Sequence, residues 1–214
     1  TGNSTVDLAA RACLQKIGLA KGDVTLRSMG QAEILAAMSS GSADAGGLWA
    51  PNTYTAEEKA GGKLLCSGKD AGVVVPGNIV ARADWAKENP QLVAKFLAVY
   101  LRAQRWLAAN RTEAVAMMKK HYETGGVNIS AAAMNKEFDT RPTYDLAGQL
   151  AQFNRGAQPG RADTTMSVIA GFMKEVGSLR ADEAVPDPKT YVTDEYLKAV
   201  DRDPQLKAFA NRTN

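Results

Sequence analysis

Apolar positions in the first eighty residues come in short bursts of two kinds. Gly2-Asn3-Ser4-Thr5-Val6-Asp7 sets a Ser three residues ahead of an Asp just before an apolar pattern, a capping-box signature. Leu8, Ala9, Ala12, Cys13 and Ile17 then share one helical face, and Gly18 is placed to end the helix. Val24 to Leu26 reads as a short strand. Gln31 to Met38, with Ile34, Leu35 and Met38 on one side and Gly41 as the stop, reads as a second helix. A strand is expected over 43–49, then a third helix from Pro51 to Ala60, ended by Gly61-Gly62. Lys63 to Ser67 and the β-branched stretch 72–80 are further strand-like pieces. The second is punctured by Pro76-Gly77, as at a crossing between units.

Beyond Arg82 the period is helical. Asn89 is expected to cap a long helix with Pro90 in its first turn and Leu92, Phe96, Tyr100, Ala103 and Leu107 along it. Asn110 is expected to cap Thr112 to Tyr122, closed by Thr124-Gly125-Gly126. Shorter helices are expected over Ser130 to Phe138, Asp163 to Val176 with Gly177 as stop, and Thr193 to Val200 after a Pro-rich loop at 185–188. Alternating strand and helix before Val75 implies a parallel sheet, so the fold class expected is α/β. Three or four short strands are few for the helices that follow.

Composition and charge narrow the function. The 214 residues are 45% hydrophobic and 23% charged with a formal net charge of +3, as in ordinary globular proteins. Seven basic and seven acidic residues precede Val75, and nineteen and sixteen follow it. No block is basic enough to hold a phosphate backbone, which argues against a nucleic-acid partner. The longest apolar run, Phe96 to Leu101, is far short of the ~20 residues of a membrane span. The chain opens at Thr1 with no Met, basic leader or cleavage signal, so it is expected to be a processed or cut form.

Candidate chemistry is sparse. Cys13 and Cys66 lack a CxxC spacing, and either a disulfide or two buried thiols suits them. His121 is the one histidine, and its place beside Lys119 and Lys120 near a helix end suits the dipole. Zinc sites, Cys-His dyads and Ser-His-Asp triads lack their parts, so no catalytic residue, metal ligand or cofactor is assigned. Asn3, Ser4 and Thr5 read either as plain capping or as an anion or polar-headgroup site at the positive end of a helix. Trp49 reads as core or as a flat pocket wall, with Gly46, Gly47 and Pro51 leaving space around it. Pro76, Gly77 and Asn78 read as a turn or as a hinge. Asp44 suits a local backbone bond. Trp85, Tyr100 and Trp106 suit a core, and Arg102 and Arg105 a solvated face.

Three pieces together resemble the solute-binding proteins of bacterial ABC importers, in the branch for alkanesulfonates, taurine, nitrate and thiamine precursors. They are the Gly2–Asp7 helix start, the block Met38-Ser39-Ser40-Gly41-Ser42-Ala43-Asp44-Ala45 with Leu48-Trp49-Ala50-Pro51, and Val80-Ala81-Arg82-Ala83-Asp84-Trp85 through Asn89-Pro90 to Arg102-Ala103. The resemblance implies part of a two-lobed periplasmic-binding fold with a short, mainly parallel sheet and a helix-rich C-terminal part. Residues 1–75 would be a partial ligand-binding lobe, 76–82 the inter-lobe crossover, and 83–214 helices that pack on a first lobe, itself expected before Thr1. It turns Asn3, Ser4, Thr5, Trp49 and Pro51 toward a ligand, and Pro76, Gly77 and Asn78 toward a hinge. Ala50 stands where relatives often carry an acid, which weakens a taurine-type reading.

The function this implies is capture of a small organic, anionic solute (sulfonate, nitrate or aromatic-acid-like) and delivery to a membrane ABC permease. The protein would be periplasmic, or exported and lipid-anchored in a longer form. A separate N-terminal lobe or a second copy would cover the apolar helix faces. Two alternatives stay open. One is an effector or sensor domain on the same fold; the other is an enzyme like the thiamine-pyrimidine synthase, which His121 supports poorly.

Overall fold

Ser4 enters the first helix in an extended conformation, and its hydroxyl accepts the Asp7 N–H at 3.4 Å. From there the chain is helical wherever it is regular. The computed structural model describes residues 2–213, apart from the Lys21 side chain, so the expected domain limits at positions 1 and 214 lie outside the described residues. Eleven α-helices occur among them: α1 (Thr5–Lys16), α2 (Gln31–Ser39), α3 (Asn52–Lys59), α4 (Ala83–Glu88), α5 (Pro90–Ala109), α6 (Arg111–Thr124), α7 (Ala131–Thr140), α8 (Leu146–Gln152), α9 (Arg161–Glu175), α10 (Glu195–Arg202) and α11 (Pro204–Ala210). Gly18, Gly41, Gly61, Gly126 and Gly177 end helices with positive φ, the conformation for which glycine is suited.

The expected α/β class, with its short parallel sheet, is overturned. Helix accounts for 57% of the protein, and no strand occurs among the described residues. The stretches 24–26, 43–49, 63–67 and 72–80 have β-branched and apolar composition, yet a strand exists only when a neighbouring strand pairs its N–H and C=O groups. These four do not pair with each other. Leu65 and Val80, 80% and 87% exposed, show how little covers the last two.

Two asparagines also act differently from expectation. The Asn89 side chain donates to the Trp85 carbonyl at 2.9 Å, and that of Asn110 donates to the Trp106 carbonyl at 2.9 Å. Asn89 stands at the N-cap position of α5 as expected, but its side chain, like that of Asn110, bonds back to the helix before it and makes no capping bond to the one after. Two short helices went unforeseen. Asp145 caps α8 by accepting the Gly148 N–H at 2.8 Å, and Asp203 caps α11 by accepting the Gln205 and Leu206 N–H groups at 2.9 and 3.1 Å.

The chain divides into two compact units. The first comprises Thr1–Gly77, Lys119–Glu137 and Ile169–Val185. Its buried apolar residues include Val6, Ile34, Tyr54, Ile129, Met134 and Phe172. α3 and α7 are tied by polar contacts: the buried Tyr54 hydroxyl donates to Glu137 Oε2 at 2.6 Å, Lys136 Nζ pairs with Glu57 at 2.6 Å, and the Ser130 hydroxyl donates to Glu58. A disulfide joins Cys13 of α1 to Cys66, resolving the open choice, and Lys16 Nζ donates to the Asp70 carbonyl nearby. The segment 66–70 is thereby fastened to α1.

The second unit comprises Asn78–Met118, Phe138–Val168 and Pro186–Asn214. Ala94, Ala98 and Leu101 of α5 form its core with Leu146 of α8, Leu197 and Val200 of α10, and Ala210 of α11. Alanines at i and i+4 let α10 and α11 approach α5 closely. Arg102 lies 4.6 Å over the Phe209 ring at the edge of this core. Arg155 binds the buried Asp163 carboxylate through two bonds of 2.7 Å and also donates to the Val192 carbonyl at 2.7 Å, and the Gly160 N–H donates to Asp163 at 3.1 Å. The guanidinium holds the Asp163 carboxyl below the ordinary aspartate range, outweighing the opposite push of burial, and Gly160 adds to it.

Two outcomes are expected. Replacing Cys13 and Cys66 by Ser opens a loop of sequence separation 53. By chain entropy alone that lowers stability by about 4 kcal/mol, read as a fall in the urea midpoint. Asp163→Asn strands Arg155 and costs about 2 kcal/mol at neutral pH. Because the folded carboxyl titrates below its unfolded value, the Asp163 contribution is complete above about pH 4 and fades as pH falls through the lowered value. Wild type therefore loses stability on acidification, and the difference from Asp163→Asn narrows in the same window.

Candidate functional site

The amino end of α1 is built by its own side chains. Asp7 Oδ2 accepts the Asn3 N–H at 2.9 Å, while Arg11 Nε holds Asp7 Oδ1 at 2.8 Å. Asn3 sits at φ 57°, a left-handed conformation that asparagine tolerates better than most residues. Its side chain is exposed, and Ser4 and Thr5 are half-buried. The N–H groups of Thr5 and Val6 have no acceptor within the helix, as helix geometry requires. They lie at the positive end of its dipole, and pairing with Arg11 offsets the Asp7 charge beside them.

The amino end of α2 is joined to this one. The Gly2 N–H donates to Ser28 Oγ at 2.9 Å, and Ser28 stands two residues before Gly30, the N-cap of α2. Gly30 donates its own N–H to Glu33 Oε2 at 2.8 Å. Each helix thus brings a carboxylate from its first turn back to its own start.

Between α1 and α2 runs the segment that carries Trp49. A β-carbon on Gly46 would lie 2.5 Å from Ile34 Cγ2 and 2.8 Å from Met38 Sδ, so only glycine fits against α2 here. Gly47 faces α1, with Val6 Cγ2 at 3.4 Å and Ala10 Cβ at 3.6 Å from the corresponding position. The Trp49 N–H donates to Gln31 Oε1 at 2.9 Å, and Gln31 Nε2 donates to the Gly47 carbonyl at 3.4 Å. Trp49 keeps 36% of its surface exposed. Pro51 follows a cis peptide bond and stands as the N-cap of α3, where its carbonyl accepts the Thr55 N–H at 3.1 Å.

The structure thus gathers the α1 turn with Asn3, Ser4 and Thr5, the start of α2, and Trp49 with Pro51 into the first unit. Gln31, whose side chain holds the Trp49 backbone, carries no local signature in sequence and was not anticipated. Pro76, Gly77 and Asn78 lie away from these residues in sequence, and the division between the units falls between Gly77 and Asn78. A β-carbon on Gly77 would meet open space. Asp44 is exposed, as is His121 on α6. Among the described residues no three His, Cys, Asp or Glu side chains gather to hold a metal, and no helix is long and apolar enough to cross a membrane.

Comparison with known proteins gives the class. Residues 1–114 match the family described as NMT1/THI5 like, and the chain belongs to that family. A protein named "Putative binding protein" from Brucella abortus is 26% identical over 196 residues, covering 90% of this chain and 58% of its own length, as is one from Brucella suis. A "Putative aliphatic sulfonates-binding protein" of Bacillus subtilis is 32% identical over 92 residues, covering 43% of this chain and 28% of its own. The chain spans just under three fifths of the length of the Brucella relatives it matches. No solved structure matches it. The resemblance to solute-binding proteins of the sulfonate and nitrate branch therefore holds.

Gly46→Ala tests the packing that positions Trp49. With Ile34 buried and β-branched, little can yield, and the variant is expected to lose about 2 kcal/mol of stability with a matching fall in melting temperature.

Proposed function

We propose that this chain binds a small organic solute, anionic in charge, as the capture component of an ABC importer. The observation that carries this reading is the gathering of an α1 amino end, with Asn3, Ser4 and Thr5, and a half-exposed Trp49 in one unit of a chain whose relatives are named as binding proteins. The chemistry is complementary. The N–H groups of Thr5 and Val6, which have no acceptor inside the helix, suit a sulfonate, nitrate or carboxylate, and an indole face suits an alkyl or aromatic tail. Pro51 frames the pocket beside Trp49, and Pro76, Gly77 and Asn78 absorb the backbone rotation of closure. Delivery to a membrane permease, and location in the periplasm, follow from the same reading. The Cys13–Cys66 disulfide supports an oxidising compartment.

The test is calorimetric titration of the purified chain with 1-octanesulfonate, nitrate and benzoate, its mass established beforehand by light scattering. Octanesulfonate is expected to bind, and Trp49→Ala to weaken it at least about tenfold, equivalent to about 1.4 kcal/mol. Unchanged affinity in Trp49→Ala removes this site, and no heat with any of the three removes the anionic-solute reading for this chain.

A further inference from the structure

The pattern of bonds that Gln31 makes is that of a missing neighbour strand. In a parallel ladder, one residue donates to the carbonyl of residue j−1 and accepts from the N–H of residue j+1 of its partner. The Gln31 side-chain amide does the same with Gly47 and Trp49, donating to the first at 3.4 Å and accepting from the second at 2.9 Å, with Leu48 between. Gln31 itself is fixed in the first turn of α2. Gly46, pressed on Ile34 and Met38 of the same helix, fixes the other end of the segment.

We propose that Gln31 is the positioning residue for Trp49, setting the orientation in which its indole meets solute. This rests on the reading of Trp49 as a pocket wall, but its structural part stands apart from any ligand. The Trp49 N–H bond restricts rotation about the Trp49 N–Cα axis, and without it a segment with no strand neighbour has no other polar tie at that residue's N–H. The shorter of the two bonds carries the effect, so an acceptor alone at position 31 suffices.

The experiment uses the whole chain grown with 5-fluorotryptophan, which gives one fluorine resonance each for Trp49, Trp85 and Trp106, assigned by single Trp→Phe variants. Trp85 and Trp106 belong to the second unit and report general folding. Gln31→Leu is expected to move the Trp49 resonance toward its denatured position while the other two hold, and Gln31→Glu, which keeps an acceptor, to return it toward wild type. In parallel, Gln31→Leu is expected to lose at least about fivefold in affinity for 1-octanesulfonate, with recovery in Gln31→Glu. A Trp49 resonance unmoved by Gln31→Leu overturns the proposal, as does a common shift of all three resonances or a Gln31→Glu that behaves like Gln31→Leu. If the resonance responds but wild type does not bind octanesulfonate, Gln31 keeps its role and the solute reading falls.

Discussion

A buried or half-buried backbone amide needs a partner, and in the first unit the stretches between helices have no neighbouring strand to supply one. Their order comes from side chains instead. Gln31 serves Gly47 and Trp49, the Cys13–Cys66 bond and Lys16 hold 66–70, and Tyr54, Glu57 and Glu58 tie α3 to the chain around α7. Helices can stand on their own backbone bonds; connecting segments cannot. The unit is therefore a set of helices whose linkers are pinned at a few points. Wherever a linker carries chemistry, as at Trp49, the pin next to it decides the geometry.

The second unit is organised differently. α5 presents Ala94, Ala98 and Leu101 to α8, α10 and α11, so shape at small residues does the work that polar ties do in the first. A sheltered polar link, Arg155 with Asp163, anchors the start of α9 to the stretch at Val192. This contact is bidentate and mostly sheltered, which separates it from exposed pairs such as Arg82 with Asp84 or Arg180 with Asp182, whose screened charges add little.

Helices were legible because their signals are local. Ser4, Pro90 and the glycines at 41, 61, 126 and 177 act within a turn of where they stand. The strands were misread because 63–67 and 72–80 have strand composition while pairing depends on what lies alongside, and no window of sequence contains that. Asn89 and Asn110 can close one helix or open the next, and a sequence does not choose between carbonyl and amide partners. α11 carries its signal in Asp203-Pro204, and α8 in its cap Asp145. At the candidate site, the residue types at Asn3, Ser4, Thr5 and Trp49 drew attention, but Gln31 did not, since its role is made by a contact eighteen positions away.

The disulfide also has a topological side. It closes residues 13 to 66 into a covalent ring that contains all of α2 and α3, together with Gln31, Trp49 and Pro51. The residues before Cys13, with the amino end of α1, and everything after Cys66 hang from this ring as tails. A protease cutting once anywhere inside it separates nothing: the two ends stay joined through sulfur, and the molecule gains only a water. A cut in either tail releases a fragment. The stretch that carries Trp49 is thus the one part of the first unit in which a single break leaves the chain in one piece until the sulfurs are reduced.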